Sequence, residues 1–263
     1  MSTVKQLVVL IVGATGSIGR LAVAEALRQG HAVRALVRDP GRARVLPPEA
    51  ERVVGDLTQV ASLRAAVDGI DAVVFTHGSD GGGKAGAEAV DYGAVRNVLQ
   101  ALDGRPVRIA LMTSIGVTNR EGAYNRSTHI HDWKRRGERL VRASGLPYTI
   151  VRPGWFDYNA KDQHRLVFLQ GDTRHAGDPS DGVVARQQIA QVLVHSLGCD
   201  AARSKTIELV AERGPAPDDL TPLFSAAVAD LPGQLDAVRD ADNMPLTDEP
   251  PRVRDDLARL RPQ

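Results

Sequence analysis

Three glycines carry the clearest chemical signal in the chain. Gly13, Gly16 and Gly19 lie in VVLIVGATGSIGR, after an apolar run and before a helical pattern. Glycines at this spacing let the backbone turn tightly. The N–H groups that open the helix can then meet the charge of a diphosphate. Gly13, Thr15, Gly16, Ser17, Ile18 and Gly19 are therefore candidate dinucleotide ligands. The next strand ends in ALVRDPGRAR, where the two dinucleotides are told apart. Arg38 suits the extra phosphate of NADP, with Arg42 in support, whereas Asp39 would suit the ribose of NAD. NADP is the expected cofactor, because Arg38 comes first on leaving the strand, and NAD stays open. Asp56 and Leu57 in GDLTQ fall on the adenine side, and Thr76, His77 and Gly78 leave a further strand at the same edge.

Other residues offer chemistry with less definition. Gly78, Gly83 and Lys84 imitate a nucleoside-triphosphate loop, but Ala85 replaces the hydroxyl that would hold magnesium. That loop is expected to border the dinucleotide, with Lys84 near its phosphates or the nicotinamide ribose. His131 has the right side chain for an acid near neutral pH; the alternative is an exposed or amide-bonded histidine. HIHD lacks a defined third ligand, so no metal is expected. Tyr124, on an expected loop, could fold back over the same place. Aromatic residues are only 4% of the chain, yet Trp155, Phe156 and Tyr158 cluster. They form either a wall for a planar substrate or packing for the carboxy-terminal segment. The polar stretch QGDTRHAGDPSDG beyond them is a candidate lid.

The elements that must position these residues alternate in type. Strand-like LVVLIVG, AVRALV, DAVVFTHG, RIALMTSIG and PYTIVRPG are separated by helix-like IGRLAVAEALR, SLRAAVDG, GAEAVDYGAVRNVLQALDG and HDWKRRGERLVRASG. Such alternation builds right-handed crossovers and a parallel sheet. RLVFLQGD and KTIELVAE read as further strands around the helical ARQQIAQVLVHSLG. The expected fold is α/β: a Rossmann-type doubly wound parallel sheet with a small carboxy-terminal substrate-covering part. Residues 1–213 form the NAD(P)-binding domain on this reading, including substrate-side segments 155–213, and residues 214–263 a partly helical appendage.

Composition narrows the function classes. The chain has 263 residues, with 43% hydrophobic and 25% charged, and a net charge of +1. A near-neutral balance gives no case for nucleic acid or an anionic membrane. The arginines, spread among acids, read as a solvated surface. One cysteine, Cys199, excludes an intramolecular disulfide. No apolar stretch reaches membrane-spanning length, so the expectation is a cytoplasmic protein with a small-molecule substrate. The sequence points to no particular oligomeric state.

GATGSIG, ALVRDP, GDLTQ, LMTSIGV and RASGLPYTIVRPG together resemble atypical short-chain dehydrogenases/reductases of the NAD(P)H-binding type. The group includes biliverdin-reductase-B-like enzymes and nitrogen-metabolite-repression-type sensors, and the resemblance covers residues 7 to about 211. It implies that Ser114 binds a substrate carbonyl, that Lys134 holds the nicotinamide ribose, and that Pro153 and Gly154 border the nicotinamide. The family's proton-donating tyrosine is replaced by Ile130, which cannot move a proton. The resemblance thus implies an NADPH-dependent oxidoreductase that reduces a conjugated molecule, such as a quinone or flavin, without that tyrosine. The alternative it leaves is a non-catalytic redox sensor.

Overall fold

The computed structural model describes residues 5–79 and 81–260. Its first half runs β1 (Val8–Val12), α1 (Gly19–Arg28), β2 (Ala32–Val37), β3 (Glu51–Val54), α2 (Val60–Val67) and β4 (Ala72–Phe75). Next come α3 (Gly83–Gly86), a π-helical turn (Ala87–Tyr92), α4 (Gly93–Leu102), β5 (Arg108–Met112), α5 (Ala123–Thr128), α6 (Ile130–Ala143) and β6 (Tyr148–Pro153). The remainder holds β7 (Trp155–Phe156), β8 (Arg165–Leu169), β9 (Val183–Val184), α7 (Arg186–Gly198), β10 (Lys205–Glu212), α8 (Thr221–Ala226) and α9 (Pro251–Leu260).

The main sheet has the order β3-β2-β1-β4-β5-β6-β10-β8. All its pairings are parallel except that of β8 with β10. The order reverses between β1 and β4, so a crevice opens at their carboxyl ends, where such sheets bind ligands. The continuous apolar run of β1 explains its central place. Val9 and Ile11 enter the core under α1 and α7, while Leu10 and Val12 enter the core under α4 and α6. A strand buried on both faces has no position for a polar residue. Among the described residues, no helix is long and apolar enough to cross a membrane.

Three expectations are corrected. The long helix over residues 86–104 is broken by the π-helical turn, which shifts the register of Asp91 and Tyr92. Tyr124 lies on the short α5 rather than a loop. The arginines of α6 are no solvated surface: Arg135, Arg136, Arg139 and Arg142 are buried beneath the carboxy-terminal chain. Asp236 accepts from Arg135 and Arg139, at 2.9 and 3.0 Å, and Glu249 from Arg136 and Arg139, at 2.6 and 2.8 Å. Inside the same network Glu138 pairs with Arg152 at 2.6 Å and Arg142 at 3.3 Å. Burial would raise the Glu138 carboxyl, but Arg152 and Arg142 hold it down at about 2. The appendage is therefore a strap across α6, tied by ion pairs. Of this appendage, α8, the following Ala227 and Arg239 reach a cavity of about 430 Å³, which Ile115, Arg174 and Glu208 also line.

Candidate active site at the sheet switch point

The glycine turn is built by contacts that only glycine allows. Gly13 has φ +84°, and a Cβ there would lie 2.8 Å from the His77 backbone nitrogen. Side chains seldom adopt that φ, and β4 would have to move away. A Cβ on Gly19 would overlap the Gly13 carbonyl. The turn closes with a 2.9 Å bond from Gly16 N–H to that carbonyl. Ser17 and Ile18 N–H have no backbone acceptor among the described residues, and the first turn of α1 has no acid. Thr15, Gly16, Ser17 and Ile18 thus surround an electropositive helix start that suits a diphosphate.

At the adenine end, Arg38 is exposed just beyond β2. Asp56 holds its turn by accepting from Thr58 N–H and hydroxyl, both at 2.8 Å. These bonds, with a smaller contribution from Arg38, hold its carboxyl below the usual range. Asp39 accepts from Gly41 N–H at 2.8 Å, so its carboxylate already caps a turn. The Leu57 carbonyl accepts from Asn97 at 2.7 Å, which fixes the adenine-side loop to α4. Lys84 is exposed on α3.

Buried polar groups gather at the other end of the crevice. Thr76 donates to the Val12 carbonyl at 3.0 Å and ties β4 to β1. His77 follows, and burial pushes its imidazole down to about 4, so it is neutral at pH 7. Lys134 Nζ sits 2.8 Å from Asp91 Oδ1, with Asp91 almost wholly buried. The π-helical turn presents Asp91 there, and such turns recur at functional sites. Gly137, one turn beyond Lys134, lets α6 approach: a Cβ there would meet the Asp91 carbonyl at 3.1 Å. Gly78 stands over the same carboxylate, 3.9 Å from Oδ1 by the same measure. His131, in the first turn of α6, packs against the loop after β5, with its ring 3.5 Å from where a Gly116 Cβ would be. Burial lowers its pKa, which favours the neutral ring. Tyr124 does fold back, meeting His131 edge to face at 5.4 Å. Ile130, at the start of α6, packs against the core.

His77 Nδ1, Asp91 Oδ2, Ser114 Oγ and His131 Nδ1 are buried without a hydrogen-bond partner among the described residues. Each such atom costs about 1–3 kcal/mol. A site that gathers several is built for a polar ligand. These atoms and the glycine turn fit a dinucleotide lying from Arg38 to Lys134.

The substrate side is less uniform. Gly154 follows Pro153 and must be glycine, since a Cβ would overlap the Gly182 carbonyl. Trp155 and Tyr158 are exposed and meet edge to face at 6.1 Å. Phe156 instead packs against the core, so the three rings make no single flat wall. The loop expected as a lid is pinned. Asp172 accepts from Gly116 N–H at 2.6 Å and Thr118 N–H at 2.7 Å, and Asp181 from Ala176 and Gly177 N–H, both at 2.7 Å.

Residues 13–200 match the family model described as NAD(P)H-binding. The chain belongs to this NAD(P)H-binding family. It is 26% identical to sanguinarine reductase of Eschscholzia californica over 84% of the chain and 96% of that protein. It is 33% identical to the chloroplastic protein TIC 62 of Oryza sativa subsp. japonica, over 80% of the chain. The chain spans about half of that protein, 47% of its length. A putative NAD-dependent epimerase/dehydratase from Bacillus halodurans shares the fold, with TM-score 0.68, 24% identity and coverage of 83% and 99%. ChuY, an anaerobillin reductase from Escherichia coli O157:H7, superposes with TM-score 0.61 at 22% identity, over 80% of this chain and all (100%) of that one. The family thus fixes a nicotinamide dinucleotide as the ligand class and an atypical short-chain dehydrogenase/reductase fold as its frame.

Sequence reasoning missed two residues in this region. Asp91 had a readable signal: with Val95 and Val98 it occupies positions i, i+4 and i+7, so an acid stands on a core-facing stripe. Asp172 had none, because the N–H groups its carboxylate holds, on Gly116 and Thr118, lie more than fifty residues away.

Proposed function

We propose that the protein is an NADPH-dependent reductase of a conjugated small molecule, of quinone or flavin type. The reading rests on one observation above all: His77 and Ser114, after β4 and β5, and His131, at the start of α6, carry unpartnered buried polar atoms beside the crevice that holds the Lys134–Asp91 pair, while an apolar Ile130 stands where a proton donor would be. NADPH supplies hydride when bound. Asp91 holds the Lys134 ammonium, which would bind the nicotinamide ribose, and Ser114 Oγ donates to an acceptor oxygen. His131, neutral through burial, is a poor acid, so the proton comes from water. That suffices where a conjugated ring spreads the added charge, and it fails for a simple ketone. Trp155 and Tyr158 offer apolar surface to such a ring. Arg38 is free for the phosphate that marks NADPH, while Asp39 is engaged in its turn.

NADPH oxidation, followed by absorbance with quinones, flavins, aldehydes and ketones, tests this reading. Turnover confined to conjugated acceptors is the expected result. Equal turnover of simple ketones would refute tyrosine-free transfer, and tight NADPH binding without any turnover would favour the sensor. Arg38→Ala should weaken NADPH about tenfold or more and NADH little. Equal losses would remove Arg38 from the phosphate.

A further inference from the structure

Arg186 reaches across the crevice and belongs to no role assigned above. It is the first residue of α7, far from the glycine turn in sequence. Its Nε nevertheless donates to Ser17 Oγ at 3.1 Å. One terminal nitrogen pairs with the Asp157 carboxylate, and the guanidinium lies 5.2 Å over the Phe156 ring. The second terminal nitrogen has no partner among the described residues. Asp157 is itself held in place. It has φ +59°, which a non-glycine residue seldom adopts, and its Oδ1 accepts from Arg186 N–H at 3.0 Å. One carboxylate thus caps α7 and aims the guanidinium.

A serine hydroxyl alone does not need a guanidinium. The fork of Arg186 lies beside the turn where the family's dinucleotide brings its diphosphate, and a planar fork matches phosphate oxygens with paired bonds. We propose that Arg186 is a diphosphate latch: its guanidinium leaves Ser17 for the bound diphosphate while keeping Asp157. The latch joins the cofactor to the segment that carries Trp155 and Tyr158, so cofactor binding orders the substrate side. Asp157 is the positioning residue. This inference rests on the dinucleotide occupying the glycine turn as assigned above.

Calorimetric titration of the full chain tests it with three probes: NADPH, ADP-ribose, which carries the diphosphate, and adenosine 2′-monophosphate, which does not. Arg186→Ala should weaken NADPH and ADP-ribose about tenfold or more and leave adenosine 2′-monophosphate unchanged. Arg186→Lys, which keeps the charge and loses the fork, should recover only part of that loss. In a Trp133→Phe background, which leaves Trp155 as the single tryptophan, NADPH should also quench fluorescence, and less so when Asp157→Asn is added at saturating NADPH. Wild-type affinities in Arg186→Ala, or an equal loss for all three probes, would overturn the latch and leave the cofactor reading intact. If the wild type binds neither NADPH nor ADP-ribose, the cofactor reading and the latch fall together.

Discussion

Helix α6 carries Lys134 towards the crevice and Arg135, Arg136, Arg139 and Arg142 towards the carboxy-terminal strap, and its two sides treat buried polar atoms differently. On the strap side, acids from residues 230–249 and from the helix itself reach the guanidinium groups. On the crevice side, Asp91 satisfies Lys134 but keeps an oxygen unpaired, and Ser114, His77 and His131 each leave an atom without a partner. Buried charge that is fully paired is architecture, because a ligand could add nothing to it. Buried polar atoms left open are a liability that a ligand removes. One helix therefore separates scaffold from site by the completeness of its hydrogen bonding rather than by its composition.

The sharpest way to break this contrast is to cut the paired side. Glu138→Ala would leave Arg142 with Asp230 and Arg152 with Asp240, each one carboxylate short in the interior, and removing one partner from a buried network costs up to about 3–5 kcal/mol. Urea denaturation should show that loss, while NADPH affinity of the folded protein stays near wild type. A cost below about 1 kcal/mol would show that the network contributes nothing as a unit.

Glu208 sharpens the comparison at the rim of the network. Burial raises its carboxyl to about 7, with Arg152 opposing and Asp172 adding to the rise. The folded chain keeps this proton to about pH 7, whereas an unfolded carboxyl releases it near 4.5. Stability from this group is therefore full below pH 4.5 and is lost as pH rises through 7. Glu208→Gln should remove that decline, on the order of 2 kcal/mol between pH 5 and 8, measured as midpoints of denaturation. An unchanged pH profile would refute the assignment.

The smallest effect is expected on the open side. Ser114→Ala deletes a hydroxyl with no partner, so stability should change by no more than about 1 kcal/mol, or even rise. Turnover should fall nonetheless. A marked loss of stability with full activity would place Ser114 in the scaffold.

Much of this protein was legible before folding. Gly13, Gly16 and Gly19 announced the turn: Gly13 takes a left-handed φ, and a side chain at Gly19 would overlap the Gly13 carbonyl. The apolar run of β1 announced a strand covered on both faces. Arg38 before Asp39 suggested the phosphate end. Local chemistry and periodicity are properties of neighbouring residues, so the chain states them directly. Trp155, Phe156 and Tyr158 were visible as a cluster, yet alternation along β7 sends Phe156 to the core and Trp155 outside, and the left-handed turn at Asp157 leaves Tyr158 exposed beyond the strand. Asp91 could be read as an acid on a core-facing stripe, but its pairing with Lys134, at a separation of 43 residues, could not. The arginines of α6 looked like surface because their acids lie about a hundred residues further on, as with Arg139 and Glu249 at a separation of 110. Arg186 found Ser17 across a separation of 169 residues. Whether a charge is solvated, paired or poised for a ligand depends on what long-range packing brings beside it, and that was decided only by the tertiary structure.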